Sequence, residues 1–319
     1  MISVVIPSYN RRDTVSETIE SILRQKVDSD IEIIIGDDCS TDGVREVLLS
    51  YAEQYPDIIK LIFQKENIGL GANWATCIKA CKGKYICNCD NDDYWHNPNK
   101  LQLQLDYMES HPESNVLITN HRTHNRSTGE ILERKAYIDR SLSLTNAIMR
   151  GHTSYCNATI MYRADFLLEH LNLDDFIKYR FTLQDWNAWA LLSPYTDFDI
   201  IQESTATFGI ETSSITRPRD YETLASRMDK EKATYLYVCN HLPPQYHYSA
   251  NDEEWERYKN DLLLSMAFRQ RDYKNARVFS KKANAYNKKV KYAKNPFSFY
   301  TYCYLTAMIK QIKKKNEIK

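Results

Sequence analysis

The sequence predicts an α/β fold: a mainly parallel sheet covered on both faces by helices, followed by a helical C-terminal extension. Three observations predict it. Over the first 120 residues, short apolar runs of strand length alternate with stretches of helical periodicity. The runs are continuously apolar rather than apolar at every second position, as strands buried on both faces require. From about Tyr221 only helical spacing recurs, which puts a boundary near residue 222 and gives a sheet domain at 1–222 and a helical region at 223–319. With 319 residues, 43% of them hydrophobic and 26% charged, the chain can bury a real core, and disordered, collagen-like and coiled-coil classes are excluded.

The elements follow in order. Ile2–Ile6, Ile31–Ile35, Ile58–Phe63 and Tyr85–Cys89 read as strands. Between them Val15, Ile19, Ile22 and Leu23 keep helical spacing, then Val44, Val47, Leu48 and Tyr51, then Leu70, Trp74 and Ile78. Asp13 and Asp42 stand where N-caps belong, and Pro98 suits the first turn of a helix marked by Leu101, Leu105 and Met108. Val116–Thr119 and Ala158–Tyr162 read as strands, a helix opens after Gln184-Asp185, and Phe198–Ile201 with Thr205–Phe208 close the sheet. Residues 224–240, 253–271, 273–286 and 297–315 read as helices.

In an open parallel sheet, ligands bind outside the carboxyl ends of the strands, so those ends carry the chemistry. The first strand runs into Pro7-Ser8-Tyr9-Asn10, the second into Asp37-Asp38-Cys39-Ser40-Thr41-Asp42-Gly43, the fourth into Asp90-Asn91-Asp92-Asp93. Six carboxylates gathered at one rim repel each other unless a cation or hydrogen-bond donors compensate. A hard divalent ion held by one or two carboxylates and bridging substrate phosphates is the usual compensation. Taken singly, each acid is an ordinary turn residue; the two clusters at strand ends are what point to a site. Gly69-Leu70-Gly71 has part of a dinucleotide fingerprint but lacks its third glycine and follows the wrong strand, which argues against a dehydrogenase. A nucleotidyltransferase would need a glycine-rich loop after the first strand, and Pro7–Arg12 has none.

Ser3-Val4-Val5-Ile6-Pro7-Ser8-Tyr9-Asn10, Ser21-Ile22-Leu23-Arg24-Gln25, Asp37-Asp38 with Ser40-Thr41-Asp42-Gly43, Asn67 with Gly69, and Asp90 with Asp92-Asp93 together resemble family 2 glycosyltransferases of GT-A fold, over residues 1 to 215. The resemblance implies an inverting, metal-dependent transferase that moves a sugar from a nucleotide donor, UDP-linked, to a saccharide or lipid-linked saccharide acceptor in surface-polysaccharide assembly. It implies that Pro7 and Tyr9 pack on the donor base and that Asp38 accepts a hydrogen bond from uracil N3–H. It implies that Asp90-Asn91-Asp92 is the D-x-D motif, with Asp92 on Mn2+ or Mg2+ and Asp90 toward the ribose or the metal shell. Gln184-Asp185 matches a downstream motif that makes Asp185 the catalytic base; the plain alternative for Asp185 is a helix cap. Many relatives carry a histidine after the last strand, whereas Gly209–Ser214 has none, and Arg217 and Arg219 are offered instead as diphosphate contacts. The competing class is a catalytically silent nucleotide-sugar-binding scaffold of the same fold.

Net charge is zero, but residues 271–319 hold 14 Lys and Arg against two acids, leaving the rest of the chain at −12. Phe297, Phe299, Tyr300, Tyr302, Tyr304, Leu305, Met308 and Ile309 stand beside Lys310 and Lys313–Lys315. That pattern suits peripheral contact with an anionic membrane face, or docking on the catalytic domain or on a second copy in a homo-oligomer. Nucleic acid is not an expected partner. The N-terminus has no basic n-region and does not read as a signal peptide. The longest uncharged run, Asn295 to Ile309, is too short and polar to span a bilayer. The eight cysteines read as thiols of a reducing compartment, and the expected location is cytoplasmic.

Overall fold

The computed structural model describes residues 1–149, 151–210, 220–248 and 251–287. The chain divides into two compact units, Met1–Thr212 with His241–Tyr246 and Ser213–Asn240 with His247–Lys319. In the first, β1 (Ile2–Ser8), α1 (Arg12–Leu23), β2 (Ile31–Asp37), α2 (Val44–Gln54), β3 (Ile59–Phe63), α3 (Leu70–Ala80) and β4 (Tyr85–Asn88) alternate as the apolar spacing requires. Then come α4 (Lys100–Ser110), β5 (Val116–Asn125), β6 (Glu130–Arg134), β7 (Tyr137–Ile138), α5 (Leu144–Met149) and β8 (Thr153–Ser154). The unit's sheet closes with β9 (Met161–Arg163), α6 (Ala164–His170), α7 (Leu173–Tyr179), α8 (Asp185–Leu192) and β10 (Phe198–Ile210).

The sheet runs β10-β5-β9-β4-β1-β2-β3, with β6 beside β5. β3, β2, β1 and β4 are mutually parallel, as are β5 and β10. β9 lies antiparallel between β4 and β5. Its reversed direction matters: the parallel strands bring their C-terminal ends to one edge, and β9 brings its N-terminal end there. Ile2, Val4, Val5 and Ile6 of β1 and Ile33–Ile35 of β2 are fully buried, which is why these runs carry no polar alternation. Burial of each such side chain contributes about 1.5–3 kcal/mol. α3 packs so closely on β2 that a Cβ at Gly36 would lie 2.5 Å from Asn73 Oδ1 and from Cys77 Sγ; Asn73 Nδ2 instead donates to the Gly36 carbonyl at 2.6 Å.

Local expectations needed correction in five places. Arg11, not Asp13, holds the N-cap position of α1, and Gly43 at φ +86° holds that of α2. Asp42 still serves both helix starts, accepting from Arg12 N at 2.8 Å and Val44 N at 3.1 Å. α4 begins at Lys100 behind Asn99, so Pro98 lies outside it. The strand expected at Ala158–Tyr162 is split into a 3-10 turn at Asn157–Thr159 and the short β9, because the turn must carry Asn157 toward the end of β4. The two closing strands are one, β10, with register shifts near Ser204.

In the second unit, α9 (Tyr221–His241), α10 (Asp252–Arg269) and α11 (Tyr273–Asn287) are helical throughout. Tyr235 packs on Trp255 at 5.1 Å between centroids, and the Tyr221 hydroxyl donates to Asp272 at 2.9 Å. Among the described residues no helix is long and apolar enough to cross a membrane. The helix expected at 297–315 and the loop bearing Arg217 and Arg219 lie outside the described residues.

Candidate active site

The edge where the strands end gathers most of the residues singled out above. Pro7 is buried in β1, whereas the Tyr9 ring just beyond is 45% exposed. Asn10 follows with a left-handed φ of +49°. That turn is pinned to the loop after β2: Asn10 N donates to Ser40 Oγ, and Thr41 N donates to Asn10 Oδ1, both at 2.9 Å. Ser8 joins both neighbouring strand ends, its carbonyl accepting from Asp38 N at 2.9 Å and its hydroxyl from Asn91 Nδ2 at 2.9 Å. Asp38 and the D-x-D turn therefore sit on either side of β1 at the same rim.

Asp38 is nearly fully buried, and each of its oxygens already accepts a backbone N–H, from Ile68 at 2.7 Å and Gly69 at 2.9 Å. Burial pushes its carboxyl up and the two hydrogen bonds pull it down, with a net rise. It thus clamps the loop leading into α3, a structural duty the motif did not announce. Each oxygen keeps a second lone pair.

Asp90 and Asp185 come together. Asn157 Nδ2 reaches both Asp90 oxygens at 3.3 Å, and Gln184 Nε2 reaches one at 3.2 Å. Asn157 is held in turn by Asn88 Nδ2 at 3.0 Å, and Asn88 by the Trp74 indole N–H at 3.1 Å. Desolvation, then the nearby Asp92 and Asp185 carboxylates, push Asp90 up to about 7 against those two amides. Asp185 opens α8, accepts from Trp186 N at 2.7 Å, and is raised by burial despite that bond. A carboxylate at a helix N-terminus with a raised pKa suits a proton acceptor.

Asp92 is gripped twice: Arg11 Nε lies 3.3 Å from Oδ2, and Arg126 Nη2 donates to its carbonyl at 2.9 Å. Its neighbour Asp93 is buried and points inward, accepting from Gly209 N at 2.9 Å with Cys156 Sγ at 3.6 Å. Burial drives Asp93 well above the carboxylate range. The end of β10 is laid directly on the D-x-D turn: a Cβ at Gly209 would come 2.2 Å from the Asp92 carbonyl. Arg11, Asn157 and Arg126 were not read from the sequence as site residues, and Asp93, counted there among the rim acids, instead turns inward. Arg11 had a signal, as a cation directly after the Pro7–Asn10 segment and opposite the acids. Asn157 had none, since only the β9 reversal brings it there.

Among the described residues no three His, Cys, Asp or Glu side chains form a group able to cage a metal ion. What is present is Asp92, with Asp90 beside it. That donor set fits a hard divalent cation that keeps few protein ligands and completes its shell with phosphate oxygens. It falls short of a zinc site, which is built on three or four protein ligands, mostly His or Cys.

The model of Glycosyl transferase family 2 matches residues 3–171, more than half of the chain. The chain belongs to this family. Among curated relatives, it is 36% identical over 163 residues to the putative glycosyltransferase EpsE of Bacillus subtilis, a match covering 51% of this chain and 56% of that protein. It is 38% identical over 108 residues to the putative teichuronic acid biosynthesis glycosyltransferase TuaG of the same organism, covering 34% and 42%. A third relative is the Escherichia coli UDP-Glc:alpha-D-GlcNAc-diphosphoundecaprenol beta-1,3-glucosyltransferase WfaP, 37% identical over 112 residues and covering 34% and 42%. The chain spans between 17% and 56% of the length of the curated relatives it matches. Two solved structures share its GT-A fold: Staphylococcus aureus TarS 1-349 in complex with UDP-GlcNAc, with TM-score 0.53, 17% identity and coverage of 92% and 90%, and the mannosyltransferase PcManGT of Pyrobaculum calidifontis with GDP-Man and Mn2+, with TM-score 0.55, 14% identity and coverage of 98% and 87%.

Proposed function

We propose that this family 2 member is an inverting, divalent-metal-dependent glycosyltransferase. It moves a hexosyl or N-acetylhexosaminyl group from a UDP-linked donor to a saccharide or lipid-linked saccharide acceptor, in surface-polysaccharide assembly in the cytoplasm. The observation that carries this reading is that Gln184, the residue directly before Asp185 at the start of α8, hydrogen-bonds Asp90 of the D-x-D turn at 3.2 Å, which brings Asp185 to the same rim. Asp185 takes the proton of an acceptor hydroxyl as that oxygen attacks the anomeric carbon opposite the diphosphate, which inverts configuration. Pro7 and Tyr9 pack on the base, Asp38 receives uracil N3–H, Asp90 contacts the ribose or the metal shell, and Asn91 belongs to the same donor-binding turn. Asp92 holds Mn2+ or Mg2+, and that ion, when bound, offsets the charge of the departing nucleoside diphosphate. Arg217 and Arg219 are offered as diphosphate contacts. The catalytic domain is placed at 1–222, with 223–319 as a helical appendage.

The name of EpsE supports glycosyl transfer, that of TuaG supports a place in polysaccharide biosynthesis, that of WfaP supports a UDP-linked donor and a lipid-linked acceptor, and the UDP-GlcNAc complex of TarS supports a uridine donor. The test is a panel of UDP- and GDP-sugars incubated with Mn2+ or Mg2+, scored for released nucleoside diphosphate. Metal-dependent release from a UDP-sugar is expected. No release from any donor with either metal would leave the silent scaffold as the correct reading.

A peripheral membrane contact belongs to the same proposal. The exposed side chains of Lys274, Arg277, Val278, Lys281 and Lys282 share one face of α11, continuing the basic character of the tail that follows. The full chain should co-sediment with phosphatidylglycerol vesicles, while a version ending at Tyr292 stays largely in the supernatant. Equal recovery of the two removes the tail's role.

A further inference from the structure

The ion pair of Arg11 with Asp92 carries an inference that rests on the reading of Asp92 as the metal-binding carboxylate. Arg11 is not a surface cation that happens to meet an acid. The left-handed turn at Asn10, tied to Ser40 and Thr41, fixes where its backbone lies. Its carbonyl receives Thr14 N at 3.2 Å and Val15 N at 3.1 Å at the start of α1. The guanidinium is only partly exposed, spends Nε on Asp92 Oδ2 at 3.3 Å, and puts Nη1 on the Asn10 carbonyl at 3.3 Å. Its Nη2 group has no hydrogen-bond partner among the described residues and remains available for an anion. A metal ion on Asp92 needs the carboxylate that Arg11 holds, so the two cations compete for it.

We propose that Arg11 is a donor-phosphate residue that also guards Asp92. Paired with the carboxylate, it neutralises one member of the Asp90, Asp92 and Asp185 group and opposes capture of a lone divalent cation. When metal and nucleotide arrive together, like-charge repulsion turns the guanidinium away from the ion, and the diphosphate offers the planar guanidinium two oxygens for a bidentate contact. The consequence is linkage. Metal and nucleotide strengthen each other because the nucleotide relieves the competition at Asp92. Arg126, which reaches the Asp92 carbonyl and pairs with Glu17 at 2.8 Å, does not compete in this way, since it holds the backbone and leaves the side chain free.

The experiment measures Mn2+ binding by electron paramagnetic resonance of the free ion, and UDP binding by calorimetry, on the full chain. Wild type should bind Mn2+ weakly alone and more tightly with UDP. Arg11→Met should bind Mn2+ alone roughly fivefold more tightly, the value of one partly exposed ion pair, and should bind UDP with Mn2+ more weakly than wild type. Should Arg11→Met not fold, Asp92→Asn tests the same competition from the other side: it frees the guanidinium, so UDP without metal should bind a few-fold more tightly. If wild type binds Mn2+ with UDP but Arg11→Met leaves the affinity for Mn2+ alone unchanged, the guarding role is refuted and the metal reading stands. An unchanged metal-free UDP affinity in Asp92→Asn refutes it equally. If wild type binds no Mn2+ with or without UDP, the metal reading itself is wrong and the guarding role falls with it.

Discussion

Replacing Asp185 with asparagine is expected to lower turnover by about three orders of magnitude, within the range for loss of a general base, while leaving UDP affinity unchanged. The substitution separates two roles that the structure combines. Asp185 accepts the Trp186 N–H at the start of α8, and an asparagine side-chain oxygen can still do that, so the helix start is preserved. An amide cannot take a proton. Turnover therefore collapses if the residue is a base and survives if it is only a cap. Because burial raises the Asp185 carboxyl, its basic form is populated later than for an ordinary aspartate as pH rises. The acid limb of kcat/KM should accordingly lie above the usual carboxylate range, with activity rising as pH increases through it. Steady-state kinetics from pH 4 to 9 with a fixed donor check both points, and full activity in Asp185→Asn would falsify the assignment.

The second large effect is expected at Asp92. Asp92→Ala should abolish the dependence of donor affinity on Mn2+, a loss of roughly a hundredfold or more at saturating metal if the ion supplies several kcal/mol. Without metal the same variant should hold UDP at least as well as wild type, because Arg11 loses its partner at 3.3 Å and becomes free for phosphate. The two halves point in opposite directions, so a merely misfolded protein cannot imitate them. Calorimetric titration of UDP with and without Mn2+ gives both, and a variant whose UDP affinity still rises with Mn2+ would remove Asp92 from the metal.

The sheet was legible because its cause is local. Seven-residue strands such as β1 and β2, mostly apolar and almost wholly buried, announce themselves as strands of a sheet covered on both faces. The rim acids were legible for the same reason, since Asp38 directly follows β2 and Asp90 comes two residues after the end of β4. What sequence could not give was direction and reach. β9 has three residues, too few to carry a pattern, yet its antiparallel run is what brings Asn157 to Asp90. Asp93 looked like one more rim acid but turns inward to Gly209 and Cys156, because the turn at Asp90–Asp93 is tight enough to point successive side chains to opposite sides. The pairing of Arg11 with Asp92 spans 81 residues and depends on a single left-handed residue, Asn10. Between β5 and α8, two-residue strands and short helices leave the acceptor side unreadable from periodicity.

The central claim is that one rim binds the base, the metal and the reacting sugar together. A crystal structure with UDP and Mn2+, with the ion located by anomalous scattering, tests it most directly. The account predicts the manganese peak at coordinating distance from Asp92, the uracil ring against Tyr9 with N3 toward Asp38, and the Asp185 carboxylate facing the outer side of the diphosphate. A manganese peak away from Asp92, or a uracil ring bound elsewhere on the surface, would contradict it.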